Sequence, residues 1–139
     1  MRYLGLDLGT RTLGISISDK TGFIASTLKT IRFEEGMEDT LLEELKKIVL
    51  EEKIDGIVLG LPRNMNYSIG DRGETTIEFQ KKLEKYLNMK VELQDERLST
   101  KEATNYLLEA DLSRKKRKKH VDSLAAVIIL QTYLDKKKG

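Results

Sequence analysis

The segment Leu4-Gly5-Leu6-Asp7-Leu8-Gly9-Thr10 decides the predicted fold, because it combines an apolar strand with a carboxylate and a tight turn. Alternation along a strand puts the three leucines on one face. Tyr3, Gly5 and Asp7 then share the other face. A carboxylate within such a strand is costly unless it is paired, hydrogen-bonded or bound to a metal.

Three hypotheses account for Asp7. It is a structural acid that bonds to the backbone of the following turn, or a metal ligand for phosphate chemistry. The third is a nucleotide-binding hairpin of the sugar-kinase and actin type, which also uses Asp-x-Gly-Thr. The segment alone favours the turn acid, so the rest of the chain has to decide.

Composition limits the class of protein. A chain of 139 residues predicts one domain, residues 1–139, with room for a substantial core. It has no apolar run long enough for a bilayer, and it begins with a strand rather than a signal peptide. The absence of cysteine excludes disulfides and thiolate metal sites and fits a cytoplasmic protein.

Charge is unevenly distributed along the chain. Residues 114–119, which we name the basic strip, are six consecutive lysines and arginines, whereas the net charge of the whole chain is only +2. The rest of the chain is therefore mildly acidic. This asymmetry favours a polyanionic partner.

Hydrophobic periodicity predicts an α/β protein with the element order βββαβαβαα. In the second strand, apolar residues alternate with small ones, Ser16 and Ser18 among them, which predicts a half-buried strand with these serines on its solvent side. The first three strands form a meander. In the second helix, Phe79, Leu83, Tyr86 and Leu87 are expected to face inward. After the first strand, the predicted strands cover residues 13–18, 23–31, 55–60 and 90–94, and the predicted helices cover residues 37–52, a segment around 79–87, residues 99–108 and residues 120–136.

This order predicts a five-stranded mixed sheet, a three-strand meander plus two parallel strands, flanked by about four helices. Right-handed crossovers put the first strand in the centre. Asp7 then lies at the mouth of the sheet, where open α/β sheets bind ligands.

Two further acids are candidates for the same place. Glu96 directly follows the fifth strand; a salt bridge with Arg97 would also explain it. Asp122 lies at helical spacing from the apolar face of the last helix, formed by Ala125, Ala126, Ile129 and Tyr133. The alternative for Asp122 is an acid stabilised by the helix dipole, which explains its position but not its face.

Three carboxylates from two strands and a helix could bind hard divalent cations, because Mg²⁺ prefers carboxylate and phosphate oxygens. Two such ions support phosphodiester hydrolysis. With one histidine and no cysteine, a zinc hydrolase is disfavoured. His120 also has no recognisable nucleophile partner for a catalytic triad.

Basic residues offer phosphate contacts. Arg63 and Arg72 in the polar loop 61–73 could hold phosphates, and Tyr67 could stack on a base. A solvated loop and a solvated charge run are the alternatives. The basic strip directly precedes the predicted helix of Asp122, so its charge is expected to lie beside the proposed site. If the strip contacts phosphates, binding should depend strongly on salt.

Five motifs occur in order: GLDLGTR (5–11), GISISD (14–19), GLPRNM (60–65), DERLST (95–100) and VDSLAA (121–126). Together they resemble the YqgF (RuvX) family of Holliday junction resolvases in the ribonuclease H-like superfamily. The resemblance spans nearly the whole chain.

The resemblance implies a ribonuclease H-like fold and a cytoplasmic bacterial nuclease that uses Mg²⁺ or Mn²⁺. It carries the catalytic and metal-binding roles to Asp7, Glu96 and Asp122. Unlike RuvC, the fourth strand ends without an acid, so Glu96 must supply that ligand. The candidate nucleic-acid contacts are Arg11, Arg63, Asn64, Arg72, Arg97, Arg114, Lys115, Lys116, Arg117, Lys118 and Lys119.

Three functions remain open at this point. The resemblance favours 5′-end maturation of the small-subunit ribosomal RNA precursor, with Holliday junction resolution as the alternative. A resolvase acting on a symmetric substrate would be expected to form a homodimer. A non-catalytic RNA-binding ribosome-assembly factor is the second alternative. An actin-like ATP-handling domain would need a second domain, for which the chain is too short.

Overall fold

A computed structural model describes residues 1–62, 70–95 and 114–138, with side chains described from 124 to 137 in the last range. Five strands form one mixed sheet in the order β3-β2-β1-β4-β5. This confirms the predicted meander, the two parallel strands and the central position of β1. The strands are β1 (Tyr3–Leu8), β2 (Thr12–Ser18), β3 (Ala25–Arg32), β4 (Gly56–Leu61) and β5 (Val91–Asp95).

Helices cover both faces of the sheet. On one face, α1 (Leu41–Glu51) and α2 (Asp71–Leu87) pack against the leucines of β1, with Leu45 and Phe79 fully buried. A short 3-10 helix (Glu38–Thr40) precedes α1. On the other face lies α3 (Arg114–Lys138). The layers are thus helix, sheet, helix.

Strand β2 is buried on both faces, so the prediction of a half-buried strand is wrong. Ser16 and Ser18 are fully buried beneath α3. The Ser16 hydroxyl donates to the Ala126 carbonyl at 2.8 Å, and the Ser18 hydroxyl accepts from the Tyr3 amide at 2.8 Å. The position of these serines in the alternating pattern predicts exposure to solvent. In the structure they are buried, and their hydroxyl groups form hydrogen bonds inside the core.

Two helix starts also differ from the prediction. Helix α3 begins at Arg114, so the basic strip is helical rather than a connection; lysine and arginine have high helix propensity. Helix α2 begins at Asp71, which puts Arg72 in its first turn and not in a loop.

Smaller differences concern exposure and strand length. Tyr86 is exposed rather than inward, and its ring lies under the Lys46 ammonium at 5.6 Å. β3 starts at Ala25 because the two preceding residues belong to the turn held by Asp19. The predicted helix at 99–108 and loop residues 63–69 lie outside the described residues. Within the described ranges, no helix could span a membrane.

Asp19 organises the turn between β2 and β3. Its carboxylate accepts hydrogen bonds from the Thr21 hydroxyl, the Phe23 amide at 2.8 Å and the Ile24 amide at 3.0 Å. These bonds, that from Thr21 first, hold the pKa of Asp19 well below its ordinary value of 3.8.

We predict that Asp19 stabilises the fold at neutral pH and that this stabilisation is lost in acid. A lowered folded-state pKa stabilises the fold above the ordinary value of 3.8, and this contribution is lost as pH falls through the folded-state pKa. Asp19→Ala should therefore lower the melting temperature at neutral pH, and its difference from wild type should shrink in acid. Thermal unfolding from about pH 7 to about pH 2 measures this. A difference that stays constant across this range would contradict the assignment.

Candidate functional site

The ends of three parallel strands define one edge of the sheet, which we name the sheet mouth. β4 and β5 end in register, with Leu61 paired with Asp95. The ladder between β1 and β4 ends at the pair Leu6 and Leu59, one residue before Asp7. Asp7 therefore lies at the sheet mouth, as predicted.

Asp7 is half-buried and lies opposite Gly14 of β2, which has no side chain to crowd the carboxylate. Alternation along β1 places Asp7 on the same face as Tyr3 and Gly5. Both of those residues pack against α3. The Asp7 side chain thus belongs to the face that α3 covers.

Helix α3 runs antiparallel to β1. Tyr3, at the start of β1, contacts the C-terminal end of α3. The Lys137 ammonium donates to the Tyr3 hydroxyl at 2.7 Å, and the Tyr133 ring stands edge-on at 5.8 Å. Further along β1, a Cβ built on Gly5 would lie 2.7 Å from the Leu130 Cβ and 3.1 Å from the Ala126 carbonyl oxygen.

This register indicates which turn of α3 lies level with Asp7. Two strand residues rise about 6.6 Å, which equals about four residues of helix. Moving from Gly5 to Asp7 therefore shifts the contact on α3 from residues 126 and 130 towards residues 122 and 126. The turn that contains residue 122 is expected opposite the end of β1.

The face of α3 agrees with the sequence pattern. Its described residues that face the sheet are fully buried, and Tyr133 is partly buried at the edge of the same stripe. The Asp122 side chain and the whole of Glu96 lie outside the described part of the chain. The fully buried residues of this face are Ala125, Ala126, Ile129, Leu130 and Leu134.

A tight turn follows Asp7. The Gly9 amide donates to the Thr12 carbonyl at 2.8 Å, and the Arg11 carbonyl accepts from the Phe33 amide at 2.9 Å. The Arg11 side chain is exposed, with its guanidinium 4.0 Å from the Glu35 carboxylate. Arg11 is thus accessible at the sheet mouth.

Arg72 also reaches this turn. From the first turn of α2, its partly buried guanidinium donates to the Leu8 carbonyl at 3.2 Å. The sequence predicts Arg72 only as a phosphate contact. No pattern in the sequence signals a bond to a backbone carbonyl 64 residues earlier.

The basic strip forms the first turns of α3, which has no acidic residue in its first turn. The positive end of a helix dipole disfavours cations there. The same end attracts anions, so strip and dipole together create positive potential beside the turn of residue 122. Arg63, Asn64 and Arg97 lie outside the described residues.

The described residues contain no group of three or more histidine, cysteine, aspartate or glutamate side chains that could hold a metal ion. Of the three predicted ligands, only the Asp7 side chain is described. The donor set is all carboxylate, which suits Mg²⁺ or Mn²⁺. A half-buried Asp7 at a strand end fits that chemistry.

Comparison with known proteins identifies the family. The family model described as "RuvX: Holliday junction resolvase" matches residues 1–136. The chain belongs to the RuvX (YqgF) family. Membership places this protein among the nucleases.

Relatives named "Putative pre-16S rRNA nuclease" cover nearly the entire chain. The Oceanobacillus iheyensis protein is 48% identical over 99% of this chain and 100% of its own length. The Clostridium botulinum strain Alaska E43 protein is 54% identical, with 98% of both chains covered. The Bacillus subtilis protein is 50% identical over 97% of this chain and 98% of its own.

Solved structures confirm the ribonuclease H-like fold. Thermus thermophilus RuvC, in complex with a Holliday junction substrate, superposes with a TM-score of 0.62 at 11% identity, covering 100% of this chain and 96% of that one. The fowlpox virus resolvase, bound to Holliday junction DNA, gives 0.63 at 13% identity with both chains fully covered.

We predict that the contact of α3 with β1 tolerates no side chain at Gly5. The Cβ of Gly5→Ala would overlap the Ser16 hydroxyl and the Leu130 Cβ. The Ser16 hydroxyl could move aside only by giving up its hydrogen bond to the Ala126 carbonyl. We expect a loss of about 1–3 kcal/mol in the free energy of unfolding, measured by urea denaturation.

The control for Gly5→Ala is Ser26→Ala on the exposed side of edge strand β3. It should change stability by no more than about 0.5 kcal/mol. Equal stabilities of the two variants would show that α3 packs less closely than described.

Proposed function

We propose that this nuclease hydrolyses phosphodiester bonds of the small-subunit ribosomal RNA precursor, trimming its 5′ end in the cytoplasm. The name of relatives that share about half of their residues over nearly their whole length supports this substrate. The catalytic residues of the proposal are Asp7, Glu96 and Asp122, which would bind Mg²⁺ or Mn²⁺.

One observation carries the proposed site: α3 runs antiparallel across β1 towards Asp7. The contacts of Tyr3 and Gly5 establish this direction, and helix geometry extends it to the turn of residue 122. With a different register, an acid on α3 would not be expected to lie close to an acid at the end of β1.

The position where β5 ends supports the inclusion of Glu96 in the proposed site. β5 is parallel to β4 and ends beside it at the sheet mouth, at Asp95. Glu96 is the next residue in the chain. A three-carboxylate set would then come from β1, from the end of β5 and from α3.

The residues of the set would each hold divalent cations through carboxylate oxygens. Bound there, two such ions would supply an activated water and stabilise the departing oxygen of the phosphodiester. Burial of Asp7 would strengthen its attraction for a cation, since the effective dielectric is lower away from water.

Basic residues would position the nucleic-acid backbone. Arg11 is exposed on the turn after β1, and the basic strip begins α3. Contacts of this kind fix the orientation of the substrate without reading its sequence. The proposal includes Arg63 and Arg97 because of their charge and motif, and Asn64 because of its motif alone.

A second candidate, resolution of branched DNA, is favoured by the description of the family model. A resolvase has to cut two symmetric strands, so it would act as a homodimer. Trimming of an RNA end requires no such symmetry.

We predict that Asp7→Asn, Glu96→Gln and Asp122→Asn each remove metal-dependent cleavage of structured RNA. Losing an outer-shell partner of a metal site already costs roughly 10- to 100-fold, so losing a ligand should cost more. Asp135→Asn, which neutralises an exposed acid near the other end of α3, is the control and should keep full activity. Wild-type activity in any of the three variants would remove that residue from the site.

We further predict that a pre-ribosomal RNA fragment is cleaved faster than a four-way DNA junction by the same preparation. Gel assays with Mg²⁺ or Mn²⁺, together with the mass of the protein in solution, distinguish the candidates. Preferential junction cleavage by a dimer would favour the resolvase. Salt-sensitive RNA binding without cleavage in either metal would instead indicate an assembly factor.

A further inference from the structure

We infer that Arg72 is a positioning residue of the site, which holds the end of β1, and with it Asp7, through the Leu8 carbonyl. The inference rests on the proposed function for its consequence in catalysis. The contact itself, 3.2 Å from the Arg72 guanidinium to the Leu8 oxygen, is independent of that function.

The geometry of the sheet explains why the Leu8 carbonyl needs this donor. In an antiparallel ladder, alternate residues bond to the neighbouring strand. The Gly9 amide bonds to the Thr12 carbonyl of β2, so the polar groups of Leu8 face the other way, towards β4. The ladder with β4, however, stops at Leu6 and Leu59.

The Leu8 carbonyl therefore lies beyond the last pair of its own ladder. An unmade hydrogen bond in partly buried surroundings is costly. Arg72 supplies the donor that β4 no longer provides. Asp7 is then held on both sides: through its pairing with Gly14 of β2, and through the fixed carbonyl of Leu8.

Arg72 is itself well anchored. Its own carbonyl accepts the Thr76 hydroxyl at 2.9 Å, and Thr76 is fully buried. One turn further along α2, Phe79 is buried in the same hydrophobic core as Leu6 of β1 and Leu59 of β4. The contact thus ties the end of β1 to a helix that cannot shift without disturbing the core.

This role makes a different prediction from that of a phosphate contact. A residue that orients Asp7 should affect metal affinity and kcat, because misplaced ligands bind metal less well. A residue that contacts phosphate should affect RNA affinity and reduce the salt dependence of binding by about one contact. Metal titration and salt dependence separate the two roles.

The experiment uses the full chain and three variants. Arg72→Ala removes the donor, Arg72→Lys keeps one positively charged donor, and Lys82→Ala removes an exposed cation elsewhere on α2 as a matched control. Mn²⁺ binding is measured by electron paramagnetic resonance, cleavage as a function of Mn²⁺ concentration, and RNA binding as a function of salt.

We expect Arg72→Ala to weaken Mn²⁺ binding and to lower kcat by roughly 10- to 100-fold, in the range of outer-shell residues of metal sites. Arg72→Lys should recover part of this loss, and the salt slope of RNA binding should stay at the wild-type value. Lys82→Ala should match wild type in metal binding. If Arg72→Ala is too unstable to study, Arg72→Lys is compared with Lys82→Ala instead. A smaller loss of Mn²⁺ affinity is then expected in Arg72→Lys, because lysine keeps the charge but not the planar guanidinium, and Mn²⁺ affinity equal to that of Lys82→Ala would overturn the inference.

Unchanged Mn²⁺ binding in Arg72→Ala with a reduced salt slope would overturn the inference in favour of a phosphate contact. Unchanged values of both would overturn it outright. A wild-type protein that neither binds Mn²⁺ nor cleaves RNA would overturn the proposed function instead. Amide hydrogen exchange at Asp7 and Gly9 then decides: faster exchange in Arg72→Ala than in Lys82→Ala supports positioning, and equal exchange overturns it.

Discussion

The close approach of α3 to the first two strands is the constraint on which the rest of the structure depends. Because Gly5 has no Cβ and the Ser16 hydroxyl donates to the Ala126 carbonyl, the backbone of α3 can approach the sheet unusually closely. Larger residues at these positions would lift α3 and change the level at which it meets β1. The distance and the register of one helix thus determine whether a late carboxylate can share a site with an early one.

The opposite end of α3 fixes that register. The Lys137 ammonium bonds to Tyr3 and lies 5.0 Å above its ring, and the Tyr3 hydrogen bond raises the pKa of Lys137. Gly56 leaves room for the same ring, since a Cβ there would lie 2.7 Å from it. These contacts are far from the sheet mouth, yet sliding α3 by one turn would break them and displace residue 122 by about 5.4 Å.

Periodicity in the sequence predicted the sheet well, and with it the position of Asp7 at the sheet mouth. Local periodicity gave the five strands, and topology rules placed Asp7 at the sheet mouth. The predictions were wrong or incomplete where burial and hydrogen bonding depend on residues far apart in the chain. Ser16 and Ser18 looked solvent-facing because alternation cannot reveal a helix that arrives 110 residues later. The bond from Arg72 to Leu8 was equally invisible, since it depends on where two strands stop pairing.

The basic strip would couple the binding of a polyanion to the stability of α3. Six consecutive cations repel one another at helical spacing and oppose the positive end of the α3 dipole. Both effects destabilise the first turns of the helix, and a polyanion that neutralises the strip relieves both. A ligand that favours one form stabilises it by mass action. Nucleic acid would therefore strengthen the part of α3 that precedes residue 122, and the helix that carries the proposed third ligand would be most stable when substrate is present.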